Sequence, residues 1–162
     1  MSGYMPKSKS TEWETPQWLF DKLNDIFNFI IDGACTYQNC KCPCASVEND
    51  SIEWTSATFV NPPYGKELNN FIKKAKEQHL KYETDIVLLI PASTEIKAWH
   101  EHIWPFASYI LFLKGRVNFE LNGKKIGASP KGSAVIIYSP DYLSEFAINK
   151  LSELGKVIDL RN

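Results

Sequence analysis

Asn61-Pro62-Pro63-Tyr64 is the stretch of this chain whose residue types and spacing point most directly to chemistry. Two consecutive prolines fix φ and delete two backbone donors, so a sheet ladder cannot run through them and the preceding amide is held at a set angle. Carbonyls beside them are left available as acceptors, and Tyr64 adds a flat face. An amide oxygen, a main-chain carbonyl and an aromatic ring converging on one spot can accept hydrogen bonds from a planar amino group while stacking the ring that carries it. A nucleobase or an amide has that shape. Asn61→Asp would keep an equivalent acceptor. The competing explanation is a plain turn, since Asn-Pro and Pro-Pro punctuate many loops.

Three further groups of residues bear on chemistry. Phe29-Ile30-Ile31-Asp32 ends an apolar run in an acid followed by Gly33-Ala34. In open α/β sheets a carboxylate and small residues at the end of a strand form the kind of place that receives a nucleoside, although a lone Asp-Gly is also an ordinary turn. Between Lys114 and Lys131 five basic residues (Lys114, Arg116, Lys124, Lys125 and Lys131) face a single acid, Glu120, in a chain whose net charge is only −1. A local basic surface of this kind suits phosphate contacts, and it equally suits a solvated loop. Finally, Cys35, Cys40, Cys42 and Cys44 fall within ten positions. Their Cys-x-Cys-x-Cys spacing lacks the two-residue gap of common zinc knuckles, and His79, His100 and His102 are remote, so the sequence predicts no metal there. Reduced thiols are expected in preference to a disulfide framework.

The elements that must position these residues follow from periodicity. Thr15 is expected to cap a helix that starts at Pro16 and continues to Phe27, with Leu19, Leu23, Ile26 and Phe27 on one face. Trp13, Glu14 and Thr15 then stand at a helix N-terminus, where free N–H groups can hold a polar or anionic ligand. Asn61 lies 29 positions after Asp32, too few for two full strand–helix units. That region is therefore read as abbreviated, irregular over Cys35 to Ser46 and with a minimal strand near Ile52 to Trp54. Asp50, among Glu48, Asn49 and Asp50, is the acid chosen to meet the amine or ribose of a nucleoside, against the alternative of a polar loop.

Beyond Asn61, an amphipathic helix carries Leu68, Phe71, Ile72, Ala75 and His79, and Asp85 to Ile90 forms a central strand. A short helix bearing Ile96, Trp99, His100 and Ile103 ends near Pro105. Tyr109 to Leu113 is a strand, and Val117 to Leu121 with Lys125 to Ala128 forms a hairpin across Asn122-Gly123. Ser133 to Tyr138 is a buried strand, Pro140 to Leu154 a helix and Lys156 to Leu160 a last strand. This alternation predicts an α/β three-layer architecture around a mixed sheet. Residues 1 to 10 are read as a flexible arm and 11 to 162 as one domain, a size that 162 residues with 44% hydrophobic content can support. No apolar run approaches the roughly 20 residues of a membrane span, nor does the N-terminus have the apolar stretch of a signal peptide, so a cytoplasmic protein without membrane contact is expected.

Asn61-Pro62-Pro63-Tyr64 resembles the Asp/Asn-Pro-Pro-Tyr motif of S-adenosylmethionine-dependent amino methyltransferases. The surrounding chain is similar to the phage-type DNA N-6-adenine methyltransferases related to Dam. The segments that carry the likeness, in order, are Glu12 to Pro16, Ile31 to Ala34, Leu89 to Ala92, Lys114 to Phe119 and Ser129 to Ala134. The resemblance implies a Rossmann-like fold and transfer of methyl from S-adenosyl-L-methionine to the exocyclic amine of adenine in DNA, with host cytoplasm as the location if a phage or prophage encodes the chain. It also implies roles: Asn61, Pro62 and Tyr64 catalytic; Thr15, Asp32, Ala34 and Asp50 toward the cofactor; Lys114, Arg116, Lys124, Lys125 and Lys131 toward DNA. The single Gly33 departs from the Gly-x-Gly loop of the wider superfamily. Two alternatives stay open at this stage, methylation of a protein glutamine or an RNA base, and an inactive DNA-binding or anti-restriction protein of the same fold.

Overall fold

A computed structural model describes residues 13–35, 39–47 and 52–161. The expected arm and Asp50 lie outside the described residues. Among the described residues, nine strands alternate with three α-helices and one π-type turn in a mixed α/β fold. Seven of the strands form one sheet in the order β2 (Cys44–Val47), β1 (Ile31–Cys35), β3 (Thr58–Val60), β4 (Ile86–Pro91), β8 (Ser133–Tyr138), β5 (Tyr109–Leu113), β9 (Gly155–Asp159). β1 pairs in parallel with both β2 and β3, and β3 with β4. β8 runs antiparallel to β4 and β5, and β9 antiparallel to β5. β6 (Asn118–Leu121) and β7 (Lys124–Ala128) form a separate two-stranded ribbon.

The sheet holds its place by burying both faces. Successive strand side chains point to opposite sides, and β4 divides accordingly. Ile86, Leu88 and Ile90 join Leu68, Ile72 and Ala75 of helix α2 (Lys66–Tyr82) and Trp99 and Ile103. Val87 and Leu89 join Leu19 and Leu23 of helix α1 (Gln17–Phe27) and Leu151 of helix α3 (Glu145–Ser152). Ile86 through Ile90 are all fully buried, as a strand apolar on both faces requires.

Several local expectations need correction. Pro16, not Thr15, is the N-cap of α1, and no side chain caps the helix. The Pro16 carbonyl accepts from the N–H groups of Leu19 and Phe20, both at 3.1 Å, while Thr15 is buried. Ile52 to Trp54 is not a strand: the Trp54 N–H donates to the Gln78 side chain at 2.7 Å, and its carbonyl accepts from Thr84 Oγ1 at 3.3 Å. The sheet is instead extended by β2, inside the stretch expected to be irregular. Cys35 and Cys40, expected as thiols, are joined in a disulfide, because the chain returns from β1 with their Cα atoms 5.2 Å apart. The short helix near Trp99 is a wide π-type turn over Trp99–Ile103, in which the Trp104 N–H reaches back five residues to the Trp99 carbonyl. α3 is shorter than expected, starting at Ser144, whose hydroxyl accepts from the Ala147 N–H.

Candidate active site

Strand order and chain direction fix where a ligand can approach. From β1 the chain passes to β2 on one side, and β3 and β4 follow on the other. The crevice beyond the carboxyl ends of β1 and β3 is thus the switch point of the parallel part of the sheet, the place where open α/β sheets bind ligands. Asn61 is the residue immediately after β3 and opens onto this crevice.

Three rings surround Asn61, and they come from distant parts of the sequence. Tyr64 follows the two prolines. Phe119 comes from β6, and Trp13 from the segment before α1. Trp13 and Phe119 stack with centroids 6.4 Å apart and 27° between planes, and Tyr64 meets Phe119 edge-on at 6.2 Å. The Asn61 amide donates through Nδ2 to the Trp13 carbonyl in a long contact of 3.5 Å, and Asn61 lines one small cavity with Trp13, Pro62, Tyr64 and Phe119. An Asn61→Asp side chain would have no proton for that carbonyl, so it is not the equivalent that the isolated motif suggests.

The ribbon is fastened over this corner by main-chain bonds. Glu14 pairs with Glu120 of β6, the two N–H groups donating to opposite carbonyls at 2.8 and 2.9 Å. The Asn122-Gly123 turn, with φ of 52° and 78°, has the left-handed pair of a tight hairpin. It projects Lys124 and Lys125 into solvent. Lys114, Arg116, Lys124 and Lys125 are all exposed and make no ion pair among the described residues, whereas the Lys131 ammonium donates to Ser93 Oγ at 3.1 Å.

Electrostatics separate the roles of the titratable groups. Burial pushes the Tyr64 hydroxyl well above the ordinary phenol range, and the neighbouring Ser129 side chain offsets part of this without reaching hydrogen-bonding geometry. Tyr64 therefore stays a neutral ring and is not a base. Burial also raises the Asp32 carboxyl, opposed by the main-chain N–H groups of Lys41 and Ala34 and by the Lys41 charge. Those N–H groups donate to Asp32 Oδ2 at 3.1 Å and Oδ1 at 3.3 Å. Each oxygen thus holds one main-chain N–H and keeps further acceptor capacity. Gly33 is small for an internal reason: a Cβ there would lie 2.9 Å from the Trp54 and Val60 side chains. Ala34 is half-buried beside that cluster.

S-adenosylmethionine ends in an amino acid, with one carboxylate and one ammonium. The start of α1 fits such a group, because it has no side-chain cap to satisfy its first N–H groups. Two residues earlier in the chain than Pro16, the Glu14 Oε1 atom is buried without a hydrogen-bond partner, an acceptor suited to an ammonium.

The sequence reading placed Asn61, Pro62 and Tyr64 together, and they do converge. It missed Phe119 as part of the site and gave Trp13 no ring partner. The alternation of Val117 and Phe119 marks a buried face of the hairpin, but only tertiary structure shows that this face meets Asn61. A family model described as DNA N-6-adenine-methyltransferase (Dam) matches residues 3–156 of the chain. Among curated proteins, none matches it.

Proposed function

Taking as premise that the chain belongs to the DNA N-6-adenine-methyltransferase (Dam) family, we propose that it transfers methyl from S-adenosyl-L-methionine to the exocyclic amine of adenine in DNA on a Rossmann-like, three-layer fold. The observation that carries this reading is the placement of Asn61, at the end of β3, in one corner with Tyr64, Phe119 and Trp13. Family membership favours adenine in DNA over a protein glutamine or an RNA base.

When bound, S-adenosylmethionine supplies an electrophilic methyl group. The chain's own work is to bind, orient and keep water away. Asn61 Oδ1 and the Pro62 carbonyl would accept hydrogen bonds from the two amine N–H groups, turning the nitrogen lone pair out of conjugation, and the methylated nitrogen would release one of those protons to solvent. Tyr64 stacks the base, and much of the acceleration comes from holding the two reactants in line. The amine is its own nucleophile, so no covalent residue is needed. Since a duplex hides that amine in a base pair, the adenine is flipped out.

Glu14, Thr15 and the start of α1 would hold the amino acid end of the cofactor. Asp32 would act by shaping the loop beside Ala34, with Asp50 as the acid toward the nucleoside. Lys114, Arg116, Lys124, Lys125 and Lys131 would follow phosphates, which position without specifying sequence. No helix among the described residues is long and apolar enough to cross a membrane, in keeping with a DNA-modifying enzyme of the cytoplasm. Incubation of unmethylated plasmid with protein and cofactor, followed by methylation-sensitive restriction, tests the reaction. Protection at adenine-containing sites is expected, and full cleavage of every digest would contradict the proposal.

A further inference from the structure

The cavity bounded by Trp13, Asn61, Pro62, Tyr64 and Phe119 has a volume of about 10 Å³, room for about one water. No purine fits. If a base is to reach Asn61, a wall has to move, and the five walls differ in how firmly they are held.

Asn61, Pro62 and Tyr64 continue directly from β3 through two φ-locked residues. Phe119 is 1% exposed and belongs to a ribbon that is laddered to β7 and bonded to Glu14. Trp13 is only half-buried. Its ring rests on Phe119, and its carbonyl receives the long 3.5 Å contact from Asn61. The strong main-chain bonds, at 2.8 and 2.9 Å, belong to Glu14 one residue later. The indole can therefore rotate about its own side-chain torsions while the ladder stays intact. The indole shares with Asn61, Tyr64 and Phe119 the one corner that a base stacked on Tyr64 would have to enter.

We propose that Trp13 is a positioning residue that stands in for the target base, its indole filling the corner beside Asn61 and Tyr64 until adenine displaces it. The inference rests on the reading of Asn61 as the site of the adenine amine. It adds that entry of the base is a competition between two flat rings for one place. Trp13 then keeps the corner dry in the free protein, and only a group that stacks about as well can open it. Removing the indole lowers the cost of entry, so affinity rises, which is the opposite of what loss of a structural residue would do.

The test uses a single-stranded oligothymidine carrying one 2-aminopurine, an isomer of adenine whose fluorescence falls on stacking, titrated against the parent, Trp13→Ala and Trp13→Phe. Trp13→Ala is expected to bind about fivefold tighter than the parent, with Trp13→Phe close to the parent. A Trp13→Ala that binds no tighter, or a Trp13→Phe displaced as far as Trp13→Ala, overturns the proposal. Should Trp13→Ala fail to fold, 5-fluorotryptophan labelling of the parent decides. The Trp13 resonance, assigned with Trp13→Phe, must shift with the 2-aminopurine strand and not with plain oligothymidine, and no selective shift overturns the proposal. Neither measurement needs methyl transfer. Failure of the proposed reaction would appear separately, as a parent protein that leaves plasmid adenines unmodified.

Discussion

The carboxyl ends of β1 and β3 lie side by side in the sheet and are built in opposite ways. At the end of β1 the polar groups are used internally: Asp32 takes two main-chain N–H groups, Gly33 makes room for Trp54, and Cys35 is bonded to Cys40. At the end of β3 two prolines remove backbone donors, and Asn61 sits in a corner with three rings about it. Under the proposed function, one end would act as a support and the other would present groups to a ligand, with bond-making chemistry at β3 and shape at β1.

Exchanging the properties of the two ends is the sharpest way to break this comparison. Asn61→Ala should lower methyl transfer by at least about a hundredfold, the size of loss seen when one preorganised polar group is removed from a reacting centre. Cofactor affinity, read by equilibrium dialysis, should hardly move. At β1 the corresponding change acts on the fold. Gly33→Ala places a methyl group 2.9 Å from Trp54 and Val60 and should cost about 1–3 kcal/mol in urea denaturation, in the range of overpacked cores. A Gly33→Ala protein of parental stability with lost cofactor binding would make Gly33 a ligand contact after all.

A smaller effect belongs to the ribbon. Reversing Lys124 and Lys125 to Glu should weaken DNA binding several-fold at moderate salt, equally on two unrelated duplexes. The slope of log affinity against log salt should flatten by about 2 if each lysine neutralises one phosphate. A changed preference between the duplexes at unchanged affinity would mean that the ribbon reads bases.

The smallest effect is the pH dependence of Asp32. Its folded carboxyl titrates above its ordinary value of 3.8 because of burial, so between that value and the folded one the native state binds more protons than the unfolded chain. Stability contributed by this group therefore falls as pH rises through the window. Relative to Asp32→Asn, which has no charge to bury, the parent should lose stability on going from acid toward neutral pH. A parent that gains instead would show that the Lys41 and Ala34 bonds outweigh burial.

What the sequence made legible was whatever is encoded locally. The Asn122-Gly123 hairpin, the buried runs of β4 and β8, and the Asn61-Pro62-Pro63-Tyr64 corner depend on neighbours in the chain, and they were placed within a residue or two. Several of the larger misses depend on pairing with other parts of the fold. Trp54 resembles a strand residue until Gln78, 24 positions on, takes its N–H. β2 was hidden because a stretch of cysteines and a proline has no period, and its strand form comes from pairing with β1. The Cys35–Cys40 bond depends on the return of the chain to Lys41, which Asp32 fixes. The meeting of Trp13 with Asn61 spans 48 positions and leaves no periodic trace.

The most direct measurement supplies purified protein with S-adenosylmethionine carrying an isotopically labelled methyl group and unmethylated DNA, then identifies labelled nucleosides by mass spectrometry. The account predicts label in N6-methyldeoxyadenosine for the parent and at least about a hundredfold less for Asn61→Ala. Label in the Asn61→Ala product at the parental level, or parental label only in another nucleoside or in protein, would contradict it.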